Sequence, residues 1–120
     1  PRGLFVSLIP DGHHLPYWML PMLIDHFGSD RVMFVSDAIS AAGLSSGTYT
    51  LGKRRIHIGE DGVARDVQHQ HFVGSTSLLR QCYQRVNEFA NWDATVLRRL
   101  FHDNARHLLQ ISKGEGSDLR

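Results

Sequence analysis

Apolar residues are patterned differently along the chain. Gly3 to Ile9 and Arg31 to Val35 are short, nearly continuous apolar runs, as expected of strands buried on both faces. Between them, Pro16 to Phe27 carries apolar residues at helical spacing. Pro16 lies near its first turn and Gly28 provides a stop. Pro21 fits poorly in a helix interior, so the first turn is irregular or the helix starts late. Strand, helix and strand in this order predict a right-handed βαβ unit with parallel strands.

The pattern then changes to short alternating segments. Gly47 to Leu51 and Arg54 to Ile58, joined by Gly52-Lys53, predict a hairpin, and Val63 to Arg65 a further strand after the Glu60-Asp61-Gly62 turn. A long helix is expected after Phe72 to Thr76, capped by Ser75 or Thr76, with Leu78, Leu79, Cys82, Val86 and Phe89 as its apolar stripe. Another starts near Asp93 and carries Val96, Leu97, Leu100 and Phe101, and a last turn covers Ala105 to Leu109. Trp18, Met19, Met22 and Leu23 are read as packing residues, and Arg98-Arg99 as a solvated helix face.

Composition narrows the function classes. The chain has 120 residues, 42% of them hydrophobic, which suffices for a packed core. A formal charge of +1 with scattered basic residues argues against nucleic acid, and Lys53-Arg54-Arg55 is too short to form a patch. The apolar stretch from Leu15 to Ile24 is broken by two prolines and too short to cross a bilayer. The single cysteine, Cys82, excludes an internal disulfide and a multi-cysteine zinc site, which fits a reducing, cytoplasmic setting. Pro1-Arg2 leads straight into an apolar run without the order of a signal peptide, and both ends look abrupt, as in a piece of something larger.

The candidate chemistry sits where the strands end. Asp37 closes the second apolar run and opens into Ala38-Ile39-Ser40-Ala41-Ala42-Gly43. Asp11-Gly12-His13-His14 follows the first run. Ligands of α/β folds sit outside the carboxyl ends of the strands, so two successive polar tips point to one active-site rim. Asp37 is also read as a turn residue, a common place for Asp. His69-x-His71 has the spacing of a metal chelate, but it lacks a third ligand and lies in a polar loop, so it is read as a pair of exposed loop histidines. His57 is expected on the solvent face of the hairpin, and His102 and His107 at the surface.

The order Asp11-Gly12-x-His14, Ser36-Asp37-Ala38, Ala41-Ala42-Gly43-Leu44, Gly47-x-Tyr49-Thr50-Leu51-Gly52, Asp61-Gly62-Val63-Ala64, Gly74-Ser75-Thr76 and Asn104-Ala105-Arg106 resembles the N-acetylglucosamine-6-phosphate deacetylases of the amidohydrolase superfamily. That resemblance implies an α/β fold, a fragment of a (β/α)8 TIM barrel. It would comprise the last two strands and their helices with a small β-hairpin insertion. Residues 1–112 would be the C-terminal portion of the barrel and 113–120 the start of a linker to a small β-sandwich domain.

The implied reaction is hydrolysis of the acetamide of N-acetylglucosamine 6-phosphate, with a divalent metal ion, zinc or iron, held by residues outside this chain. Asp37 would be catalytic, taking a proton from metal-activated water and returning it to the leaving amine. His14 would contact the substrate, with Asp11, Gly12 and His13 completing its loop, and Phe72, Val73 and Gly74 would reach the phosphate ester. Ser75 and Thr76 could lend helix-terminal donors to an anion. The resemblance further implies a small-molecule amino sugar phosphate as partner, a homodimer for the full-length protein, and no activity for these 120 residues alone. Other amidohydrolases, such as a cyclic-amide hydrolase or a deaminase, and a non-catalytic α/β binding module are the alternatives.

Overall fold

The computed structural model describes residues 4–110. Its first unit is β1 (Val6–Leu8), α1 (Met19–Phe27) and β2 (Val32–Phe34). The two strands pair in parallel, with Val6 opposite Val32 and Leu8 opposite Phe34. The expected βαβ unit is therefore present, with shorter strands and a later helix. Pro16 and Pro21 account for the late start. Residues 16–18 form a turn, and Pro21 becomes the third helical residue, where its missing N–H would have had no intrahelical partner anyway. Gly28, at φ +90°, ends the helix by donating its N–H to the Ile24 carbonyl.

One face of this unit makes the main core. Leu20 and Ile24 of α1 pack on Val32 and Phe34, together with Val86, Leu97 and Leu100 from the later helices. Of the residues read as packing, Trp18 and Met22 are 61% and 62% exposed here and lie outside this core.

The second unit is an antiparallel sheet in the order β3 (Gly47–Leu51), β4 (Arg54–Ile58), β5 (Ala64–Asp66). The two-residue loop Gly52-Lys53 has Gly first at φ +60°, which suits the twist of a tight hairpin. Ile56, Ile58, Ala64 and Ala41 form a smaller core beneath it, and His57 faces solvent as expected, beside the Thr48 hydroxyl.

Helix α2 (Leu79–Ala90) begins later than expected. Neither Ser75 nor Thr76 caps it; the Gln81 side chain turns back to accept the Leu78 N–H. Only Cys82 and Val86 of its apolar stripe are fully buried, while Leu78, Leu79 and Phe89 stay exposed. Burial pushes the Cys82 thiol pKa up, as befits an inert core thiol. Asp93 caps α3 (Ala94–Arg98) as expected, accepting from the Thr95 N–H. The chain continues through one π-helical turn, Arg99–Asp103, into α4 (Asn104–Leu108).

Two side chains here tie the helix to the sheet. Arg99, expected in solvent, donates to the Ser29 hydroxyl, and buried Asn104 donates to the Ser29 and Val32 carbonyls. His102 is exposed and bonded to Asp103. No helix among the described residues is long and apolar enough to cross a membrane. The segment expected to start a linker, 113–120, lies outside the described residues.

Candidate active site

Because β1 and β2 run parallel, their carboxyl ends open on the same edge, and each is followed three residues later by an aspartate, Asp11 and Asp37. Asp37 takes a left-handed backbone conformation, φ +48°, uncommon for any residue but Gly, Asn or Asp. Its side chain is exposed, and among the described residues nothing hydrogen-bonds its carboxylate. Its backbone, in contrast, is fixed. The Ser75 N–H donates to the Asp37 carbonyl at 2.8 Å, and the Ile39 N–H to the Ser75 carbonyl at 3.0 Å. The close approach requires Gly74, since a Cβ there would lie 2.6 Å from Ile39 Cγ2 and 3.0 Å from the Asp37 carbonyl oxygen. The reactive candidate is thus a free carboxylate on an anchored main chain.

Asp11 is its opposite, 3% exposed and fully occupied. Its Oδ1 accepts the N–H groups of His13 and His14, each at 2.9 Å. Its Oδ2 lies 2.8 Å from His14 Nδ1 and accepts the Ser75 hydroxyl at 3.0 Å. Burial pushes its pKa up, but the amides of His14 and His13 and the His14 ring outweigh that, leaving it below the usual 3.8. Asp11 therefore turns inward, as a support for the rim. Gly12, at φ +82°, is demanded by the Tyr17 ring, whose nearest atom would be 2.7 Å from an added Cβ.

The two neighbouring histidines diverge. His14 is half-buried, with its ring edge-on to Phe72 at 5.2 Å between centroids. His13 is exposed and lines a shallow depression of about 330 Å³ with Tyr17, Asp61 and Arg85. Phe72 has Arg65 over its ring at 5.3 Å. The Val73 N–H is committed to the Ala64 carbonyl, which removes it as a donor to a ligand.

Ser75 and Thr76 are likewise occupied. The Ser75 hydroxyl donates to Asp11 and accepts from the Ser77 N–H, while the Thr76 hydroxyl donates to the Gly62 carbonyl. Helix α2 begins only at Leu79, so neither residue is a helix-terminal anion donor. Sequence reasoning missed that Ser75 joins the two tips. Asp37, Gly74, Ser75, Asp11, His14 and Phe72 form one continuous chain of contacts; His13 joins it through its N–H to Asp11, while its exposed ring does not.

The sequence also gave no weight to a second turn of the same kind. Asp66 Oδ1 accepts the N–H groups of Gln68 and His69 at 2.8 and 2.9 Å and lies 3.1 Å from His69 Nδ1. The spacing Asp-x-x-His, shared with Asp11-Gly12-His13-His14, was the available signal. His69 and His71 are exposed, with ring centroids 5.8 Å apart. Among the described residues no group of three or more His, Cys, Asp or Glu side chains is placed to hold a metal ion.

An α/β chain with a carboxylate and an imidazole at the carboxyl ends of parallel strands matches part of known deacetylase structures. The proteins it is similar to are N-acetylglucosamine-6-phosphate deacetylases, as its motifs suggested. The enzyme of that name from Lysinibacillus sphaericus is 26% identical over 110 residues, which is 91% of this chain and 28% of the relative. The crystal structure of the Thermotoga maritima deacetylase superposes with a TM-score of 0.81 and 31% identity, over 89% of this chain and 29% of that one. The Mycobacterium smegmatis deacetylase, at 24% identity and TM-score 0.78, shares the fold. No family model matches the chain. The chain thus spans less than a third of the length of these relatives.

Proposed function

We propose that these residues form the closing part of a (β/α)8 barrel in a deacetylase that converts N-acetylglucosamine 6-phosphate to glucosamine 6-phosphate and acetate. The observation that carries this reading is the Asp37 carboxylate, exposed and unbonded at the end of a parallel strand while its backbone is clamped by Ser75 across Gly74. A general acid/base must be positioned and yet free to exchange a proton. Exposed Ser7 on β1, Trp18 just before α1 and Met22 on α1 suit elements with further barrel neighbours.

Asp37 accepts a proton from the attacking water as its oxygen adds to the acetamido carbonyl. The tetrahedral intermediate then loses the amine as the C–N bond breaks, and Asp37 returns the proton to that nitrogen. His14, steadied by Asp11 and Phe72, contacts the sugar. Following the resemblance, this reading gives the divalent ion, zinc or iron, to residues outside this chain; among the described residues no three His, Cys, Asp or Glu side chains are grouped to hold one, and no step here depends on it. A cytoplasmic homodimer completes the reading.

The test is acetate release from N-acetylglucosamine 6-phosphate by metal-loaded full-length protein carrying this chain, beside its Asp37→Asn variant and the 120 residues alone. Activity that falls at least a hundredfold in the variant is expected, with none from the chain alone. Undiminished activity in the variant would reduce Asp37 to a turn residue. A folded, metal-loaded full-length protein without activity would reject the substrate.

A further inference from the structure

We propose that Asp11 is a positioning residue that locks His14 in the Nδ1–H tautomer, so that Nε2 faces the rim as a hydrogen-bond acceptor. The inference deepens the reading of His14 as a ligand contact, yet its key measurement needs no ligand. Asp11 Oδ2 is 2.8 Å from Nδ1, within hydrogen-bond range. Its carboxylate also accepts three donors, the N–H groups of His13 and His14 and the Ser75 hydroxyl. An ionised carboxylate only accepts, so the proton between Oδ2 and Nδ1 sits on the imidazole. The arrangement matches the way carboxylates orient histidines in metal and catalytic sites, fixing the tautomer and the ring direction.

Three features make this lock more than a local turn. The carboxylate is 3% exposed, so water cannot readily replace either partner. The Ser75 hydroxyl reaches it from 64 residues away while the Ser75 N–H holds the Asp37 carbonyl, so one residue sets both tips. Phe72 packs edge-on to the His14 ring, and a half-turn of that ring would take Nδ1 away from Asp11. A ligand group facing Nε2 must therefore be a donor, a hydroxyl or an amide N–H, while His14 is neutral. An anionic oxygen is the wrong partner there.

The experiment is a long-range proton–nitrogen NMR correlation of the imidazole rings in the nitrogen-15-labelled full-length protein at neutral pH, with His14 assigned by its loss in His14→Gln. His69, in the matching exposed turn, is the internal reference. The expected result is a protonated Nδ1 and an unprotonated Nε2 for His14, with averaged, mixed-tautomer signals for His69. Asp11→Asn should move His14 toward the Nε2–H form. An Nε2–H tautomer in the wild type would overturn the proposal, even if Asp11→Asn fails to fold. So would an unchanged His14 signature in a folded Asp11→Asn chain. An intact tautomer in a metal-loaded full-length protein that releases no acetate would count against the proposed function alone.

Discussion

Two turns of the same Asp-x-x-His kind have different places in the molecule. In each, one aspartate oxygen accepts two successive amides and the carboxylate holds the Nδ1 of a histidine three residues on. The local geometry follows from the sequence, because a short carboxylate bonds the backbone amides just ahead of it. Both aspartates are buried, 3% and 7% exposed; the exposure of the histidine and a remote partner separate the two turns. The His14 side chain is 22% exposed and that of His69 69%. Only Asp11 has a third partner, Ser75, from another part of the chain. A hydrogen-bonded turn becomes part of a site when a distant element closes over it.

The electrostatics carry the same contrast. Burial is the largest influence on Asp11 and opposes its ionisation, yet the amides and the His14 ring prevail. For Asp66 the His69 amide is the largest influence and burial comes second. Both pKa values lie below the usual 3.8, but Asp11 reaches that state against a greater desolvation penalty.

The largest expected break in the comparison is therefore Asp11→Ala against Asp66→Ala. Removing Asp11 strands two backbone N–H groups and the Ser75 hydroxyl, a loss on the order of 3 kcal/mol. Asp66→Ala, which frees only local partners beside an exposed histidine, should lower the urea midpoint clearly less. Equal shifts in the two midpoints would show that the remote partner adds nothing.

Gly74→Ala comes next, because it strikes the clamp that only the first rim possesses. At φ +58°, with Ile39 Cγ2 2.6 Å from the new Cβ, it should cost about 2 kcal/mol. Unchanged thermal stability would mean that the Asp37–Ser75 strap is loose.

The smallest effect is on pH dependence. An aspartate with a lowered folded pKa contributes stability that is complete above its unfolded pKa and lost as pH falls through the lower folded value. Stability should therefore decline below about pH 4. Asp11→Asn should flatten that decline, as read from urea midpoints between pH 5 and about pH 2. An unaltered slope in the variant would assign the acid sensitivity elsewhere, for instance to Asp61, which Arg65 and the Val63 amide hold down at about 2.

Much of the frame was legible because its signals are local. The βαβ unit, the hairpin across Gly52-Lys53 and the Asp93 cap follow from periodicity, turn chemistry and one short side chain near free amides. What escaped was set by distant partners. Ser75 looked like a helix cap, but its hydroxyl is engaged by Asp11, 64 residues away. Arg99 looked solvated, and Asn104 drew no structural role, because nothing in their neighbourhood points to Ser29 and Val32. The Asp66 turn was readable from its spacing, but its histidine was weighed only as a metal ligand or an exposed loop residue.

The most direct test of the account compares His14→Gln with His69→Gln in metal-loaded full-length protein, with KM and kcat measured for N-acetylglucosamine 6-phosphate. If the buried turn serves the site and the exposed one does not, His14→Gln should raise KM at least about tenfold, the loss of one good hydrogen bond to substrate. His69→Gln should then stay within about twofold of the wild type. A larger effect at His69 than at His14 would contradict the account and move the substrate to the other turn.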